Sequence, residues 1–374
     1  MKTSARAFKP FQRFIQLESA SGLLLFFAAL VAIVLANSPL QEFYLTFKST
    51  LEYPVNDGLM AVFFLLVGLE IRREMYSGQL ASFRRAALPI AAALGGMLVP
   101  AGIYALFNHH SPTASGWGIP MATDIAFALG AMTLLGKRVP PGIKVFLVAL
   151  AIIDDIGAIL VIALFYAQQL HFGQLALAGT CLVTLFTLNR FKIRSIPVYL
   201  LVGFFLWFFL LRSGIHATLA GVALAFFIPY DANRDVKPGL EEWLHPWVNF
   251  GILPLFALIN AGIPLLQETR SLLLKPLGLG ILAGLCLGKP LGITLFSWVA
   301  MRLGFGELPG GVRRAHLLGA GLLGGIGFTM SLFIADLGLP DVRLLDGAKL
   351  SVLCASMISG LAGFGYLWWV GRKT

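Results

Sequence analysis

The sequence predicts an all-α polytopic membrane protein of twelve transmembrane helices, and three observations carry that prediction. Apolar residues fall in long runs, such as Gly22–Ala36, Tyr199–Leu211 and Val145–Ile153 continued by Ile156–Ala167. Such runs approach the roughly 20 residues that a helix needs to cross about 30 Å of hydrocarbon. Only 12% of the 374 residues are charged and mean hydropathy is +0.83, whereas a soluble domain carries about 25% charge. Basic residues, finally, collect in every second inter-run loop, as they do when loops alternate between two sides of a bilayer. Membrane β-strands would instead alternate polar and apolar residues in segments of about ten, and no such pattern is present.

Taken in order, Lys2, Arg6, Lys9 and Arg13 precede the first run as the basic region of a signal peptide would. About twenty residues is too long for that region, so 20–36 reads as the first span. The next expected spans are 58–71, 88–107, 116–136, 145–167, 173–189 and 197–212. After them come 214–229, 247–265, 277–301, 316–336 and 349–370. The eighth has the weakest hydropathy because of Gly214, Gly221 and several alanines, small residues that suit close packing inside a bundle. Of the 28 basic residues, only Lys48, Arg212, Arg270, Lys275, Arg343 and Lys349 fall on one side of this arrangement, with Lys289 inside a span. All the others, at both termini and in the alternate loops, fall on the opposite side. The positive-inside rule puts that side and both termini in the cytoplasm, and an odd number of spans would scramble the asymmetry.

The same alternation accounts for the net charge of +10 without a nucleic-acid partner. Cys181, Cys286 and Cys354 sit far apart within apolar segments, where they read as small buried hydrophobes. The chain, 1–374, is therefore read as one integral-membrane domain with no soluble or low-complexity part.

Two spans are interrupted. Gly118–Asp124 breaks the fourth with Gly, Pro and Thr, and Gly324–Ser331 breaks the eleventh with three glycines, Thr and Ser. Paired interruptions in the two halves of a transporter point to discontinuous helices around a midplane site. The half-helix ends would bring partial charges of both signs to that depth, where an acid and a base can compensate them.

Four ionisable residues lie inside spans: Asp124, Asp154, Asp155 and Lys289. Each costs at least about 2.5–3.5 kcal/mol at a helix centre, which marks it as a functional candidate. Asp154 and Asp155 are adjacent, so a helix turns them about 100° apart: one can line a cavity while the other meets a partner. Lys289 is the intramembrane base available as that partner. Oxygen ligands favour hard cations. Because desolvation and like charge both oppose double ionisation, a proton and such a cation would compete for one site. Asp124 and the preceding Thr123 sit where half-helix ends need an acid or a cap, or where their oxygens could ligate a cation directly. Glu70 and Glu74, at i, i+4 with Arg73 beside them, read as either a solvated helix end or a cation funnel. His216 and His245, at span ends, titrate in the range of a pH switch.

These strings identify a resemblance. Phe63–Glu70 with Arg73 and Glu74, Ala122–Gly130, Ala151–Ala158, Ser213–Gly221, Gly288–Ile293 and Gly327–Ile334 resemble, in order, the bacterial NhaA-type Na+/H+ antiporters. The resemblance implies inverted repeats, with helices four and eleven discontinuous and crossed. It implies electrogenic, pH-regulated exchange of cytoplasmic Na+ or Li+ for external H+ across the inner membrane, serving sodium and pH homeostasis. Asp155 would be the principal Na+ or Li+ ligand, with Asp154 as its partner, linked to Lys289 at rest. Thr123 and Asp124 would support the helix crossing, while Glu70, Arg73, Glu74, Glu241 and His245 would form the pH-responsive region. The sequence departs from the usual pattern there, with Glu242 for a histidine and Pro238 for a lysine, Lys237 lying one place earlier. The resemblance further implies a transporter rather than an enzyme, no cofactor, and a homodimer for which the polar loop Asn37–Asp57 would serve as contact. An aspartyl protease would need its two acids on facing helices, and a cation channel would need an acidic ring.

Overall fold

The computed structural model describes residues 4–167, 169–229 and 239–372. Among them every regular element is helical. In order these are α1 (Ser4–Ala36), α2 (Gln41–Ser77), α3 (Phe83–Asn108), a 3-10 segment Ala114–Met121 and α4 (Ile125–Leu134). Next come α5 (Pro141–Phe165), α6 (Phe172–Arg190), α7 (Ile196–Leu211), α8 (Leu219–Phe227) and α9 (residues 240–260). The last are α10 (Pro276–Arg302), α11 (Arg314–Gly324), α12 (Phe328–Gly338) and α13 (Val342–Val370). Seven are long and apolar enough to cross a membrane when 114–134 is counted as one, and α11 with α12 forms a further, bent pair at 47°. Large apolar side chains face outward, with Phe172 at 78% and Leu106 at 77% exposure. Such a surface suits hydrocarbon and not water.

Among the described residues three helices contain a π-turn, and each lies at a proline: Pro54 opens 54–59 in α2, Pro246 precedes 248–252 in α9, and Pro290 follows 284–288 in α10. Proline offers no N–H to the helical ladder, so the hydrogen bonding slips locally into the wider turn.

The core is a packing of helices brought close by glycine. A Cβ on Gly292 of α10 would stand 2.0 Å from the Gly95 carbonyl of α3, and one on Gly95 would stand 2.2 Å from the Gly292 carbonyl. On the other flank, α2 packs against α8 where a Cβ on Gly221 would lie 2.1 Å from the Ala61 carbonyl. This is the close approach expected of the small residues in the weak eighth span.

Several expected boundaries move. The segment read as a polar loop, Asn37–Asp57, is mostly helix, because α2 runs on for 37 residues as an amphipathic extension of its apolar core. Asn37 in the short turn before it is tied to the Ile263 carbonyl and the Leu265 N–H. The eighth helix covers only Leu219–Phe227, shorter than 214–229, since Gly214 takes a positive φ and ends the preceding turn. The last helix starts at Val342 rather than 349, with Asp341 accepting from the N–H groups of Arg343 and Leu344. The break in the eleventh span narrows to 325–327, and residues 328–331 belong to α12.

Candidate functional site

The two adjacent aspartates stand on α5, an unbroken 25-residue helix that starts with Pro141 in its first turn. Asp154 is 1% exposed and Asp155 5%. The ammonium of Lys289, itself wholly buried, donates to Asp154 Oδ2 and to Thr123 Oγ1, the latter at 2.6 Å. Thr123 Oγ1 also lies 2.7 Å from Asp154 Oδ2 and 2.9 Å from the Gly324 carbonyl that ends α11. One oxygen of each aspartate, Asp154 Oδ1 and Asp155 Oδ1, is buried with no hydrogen-bond partner among the described residues. Buried carboxylate oxygens left without donors are costly. They are acceptors for either a proton or a hard cation, which supplies the chemistry that the neighbouring side chains do not.

The interruptions of the two broken spans meet beside this pair. Residues 122–124 are extended, and the Asp124 N–H donates to the Ile326 carbonyl at 2.7 Å. The Asp124 carboxylate caps two helices at once. Oδ1 accepts from the Phe127 N–H of α4 at 2.9 Å, and Oδ2 accepts from the N–H and hydroxyl of Thr329 in α12 at 3.1 and 2.6 Å. An acid thus faces two positive helix N-termini, while Lys289 approaches the negative C-terminus of α11 through Thr123.

Toward the end that carries both termini, Glu70 and His245 are nearly buried, with His245 Nε2 2.9 Å from Glu70 Oε1. Asn249, in the α9 π-turn, lies 3.1 Å from His245 Nδ1 and fixes the ring. Arg73 pairs with Glu241 and lies 3.6 Å from Glu74, whose Oε2 accepts from the Gln79 N–H at 2.8 Å. Ligand atoms of Glu70, Glu241 and His245 come within 4.8 Å of one another. The five residues therefore form one cluster joining α2 to α9. Lys237 and Pro238 lie outside the described residues.

Two buried charges, and the part-buried acid paired with one of them, do not stand out in the sequence. Arg72, counted there as a loop residue, is buried and donates to the Ala225 and Ile228 carbonyls at the end of α8. Lys349, also placed in a loop, is fully buried one turn and more inside α13. Its ammonium lies 2.6 Å from Asp336 Oδ1 of α12 and donates to Asn260 Oδ1 at 3.0 Å. A sequence signal did exist. Asp336 and Lys349 flank a predicted short loop with opposite charge, the arrangement that lets two helix ends carry buried charges as a pair.

The sequence pattern of the family described as Na+/H+ antiporter 1 matches residues 12–367. A Cronobacter sakazakii protein named Na+/H+ antiporter NhaA is 50% identical over 379 residues, covering 96% of this chain and 97% of its own length. Proteins of the same name from Citrobacter koseri and Escherichia coli O1:K1 are each 48% identical over 381 residues, covering 96% of this chain and 98% of their own lengths.

Proposed function

The chain belongs to the Na+/H+ antiporter 1 family, and from that premise we propose that it exchanges Na+ or Li+ for protons at Asp154 and Asp155. The observation that carries this reading is the pair of buried, partnerless oxygens, Asp154 Oδ1 and Asp155 Oδ1, on adjacent residues of one helix. Asp155 binds the cation, and Asp154 joins it by releasing Lys289. Protonation of Asp155 discharges the ion, and Lys289, taking up a proton, returns to the Asp154 carboxylate. Cation and proton cannot occupy one oxygen together, so their competition couples the two fluxes. Asp155 and Lys289 together can take two protons for one departing Na+, which makes exchange electrogenic. The proton gradient then drives sodium out, in the service of sodium and pH homeostasis.

Twelve spans follow if α8, α9 and each broken pair cross the bilayer, with 114–134 and α11–α12 as crossed discontinuous helices in inverted repeats. The segment Ala114–Leu134 and the bent α11–α12 pair support this, as does the contact between 122–124 and 325–327. Residues 1–374 form one antiporter domain in the inner membrane, with termini cytoplasmic by the charge asymmetry. Glu70, Arg73, Glu74, Glu241 and His245 then face the cytoplasm, where a titrating cluster can make the rate respond to pH. The functional unit is a homodimer, and the lipid bilayer is its other partner. Transported ions are substrates, and no cofactor enters the cycle.

Everted vesicles carrying the protein test the reading. Na+ or Li+ should dequench a dye that reports the pH gradient, and Asp155→Asn should abolish the response at unchanged membrane expression. Normal exchange by that variant would sink the assignment.

A further inference from the structure

At the end opposite the termini, external in the orientation above, a cavity of about 590 Å³ opens between α2, α12 and the 212–218 segment. Glu52, Asn56, Asp57, His216, Phe333 and Asp336 lie on its wall. Phe333 closes the floor, with its ring centroid 5.4 Å from those of His216 and Phe64 and 6.4 Å from that of Phe256. Asp336 follows three residues later on the same face of α12.

Behind Asp336 stands Lys349, 0% exposed. A lysine does not reach such a place without compensation, and here the compensation is a closed network. Lys349 Nζ lies 2.6 Å from Asp336 Oδ1 and 3.0 Å from Asn260 Oδ1. The Asn56 amide donates to Asp336 Oδ2 and Asn260 Oδ1, each at 3.3 Å, and the Asn260 amide donates back to Asn56 Oδ1 at 2.8 Å. Other charges bear on it: Asp57, 3.9 Å from His216 Nε2, and Glu52, Lys48 and Asp346, all within electrostatic reach of the pair. One pair member lines the cavity and the other is sealed away from it, so Lys349 offsets a carboxylate that a cation in the cavity would meet.

We propose that the Asp336–Lys349 pair sets how tightly the external cavity holds the transported cation, and so how readily Na+ leaves on that side. The proposal rests on the exchange site at Asp154 and Asp155. It assigns these two residues no part in binding there. With Lys349 present, Asp336 is neutralised and Na+ released from the exchange site meets a weakly attracting vestibule. A net negative cavity would retain Na+ and let external Na+ compete with protons.

The test is a sign. Apparent KM for Na+ is measured from each face, using right-side-out and everted vesicles with wild type, Lys349→Gln, Asp336→Asn and the double variant. Lys349→Gln should lower the external KM about tenfold and Asp336→Asn should raise it about tenfold, the size of one unit charge about 10 Å away at an effective dielectric of about 20. The double variant should return to within about twofold of wild type, and the cytoplasmic KM should hold within about twofold throughout. A merely structural pair would move both single variants the same way, or both faces equally, and either result overturns the proposal. Should Lys349→Gln fail to reach the membrane, adding it to Asp336→Asn must still bring the external KM down. Loss of exchange in Asp155→Asn with no opposite shifts here would refute this inference alone. Normal exchange in Asp155→Asn would refute the site on which it rests.

Discussion

Replacing Lys289 by Met removes the ammonium and keeps most of the apolar stem. The nitrogen is fully buried and serves two acceptors, Asp154 Oδ2 and Thr123 Oγ1. After the change Asp154 keeps only Thr123 and stands as an uncompensated buried charge. Breaking a buried pair from one side costs about 3–5 kcal/mol, and uptake of a proton by the carboxyl holds the loss toward the lower figure. The double variant Asp154→Asn/Lys289→Met removes the charge on both sides, which is commonly near neutral for stability. Unfolding midpoints of the purified protein in one detergent separate the cases. At roughly 2 °C per kcal/mol or somewhat less for a chain of this size, the single variant should melt about 5 °C below wild type. The double should fall within about 2 °C of it. A single variant as stable as wild type would mean that Asp154 needs no counter-charge. A double variant as unstable as the single would mean that Lys289 acts through packing, and the charge argument would fail.

Asp124→Ala deprives two helix N-termini of their cap, and at about 1 kcal/mol for each cap the loss should be about 2 kcal/mol. Asp124→Asn, which keeps one of the two acceptor oxygens, should recover about one cap and so roughly half of the loss; an Asn variant as stable as wild type would refute the double-cap reading. Gly292→Ala drives a Cβ to 2.0 Å from the Gly95 carbonyl. It should therefore separate α3 from α10, displace Lys289, and abolish exchange with loss of thermal stability. Gly102→Ala on α3, where a Cβ meets nothing within 4 Å, is the control and should be neutral or slightly stabilising in the same assays.

What the sequence made legible follows from physical cost. Asp154, Asp155 and Lys289 are conspicuous because nothing polar surrounds them in their own helices, so hydropathy alone isolates them. The interruptions at 118–124 and 324–331 are likewise visible as Gly, Pro and hydroxyl residues inside apolar runs. Arg72, Asp336 and Lys349 were missed for the opposite reason. Each lies at the end of an apolar run, where a charge normally reaches water, and only the fold turns that end inward against a carbonyl or a counter-ion. Residues 41–53 look like a loop in the sequence because their helix is amphipathic and short of apolar residues. A hydropathy window measures mean apolarity and is blind to a helix that continues past the hydrocarbon.

The breaks beside the carboxylates pose the sharpest energetic question, since free backbone groups at membrane depth cost several kcal/mol each. Their surroundings answer it group by group. The Asp124 N–H goes to the Ile326 carbonyl, and the Phe328 N–H to Ser356 Oγ at 3.1 Å. The Thr329 N–H is taken by Asp124, the Ile119 carbonyl by the Ser331 hydroxyl at 2.7 Å, and the Gly324 carbonyl by Thr123. Side chains replace the missing helical ladder, and two of them, Thr123 and Asp124, are neighbours of the two aspartates. By contrast, α5 carries its two aspartates on uninterrupted helix, where no side chain is needed to satisfy the backbone. The regular element fixes the carboxylates, while the irregular ones surround them with groups whose hydrogen bonds can be exchanged singly. In the proposed exchange, a cation that draws Lys289 from Asp154 also alters the bonds of Thr123, and through Gly324 the end of α11. On that proposal, the shared hydroxyl couples ion occupancy to the geometry of the bent pair.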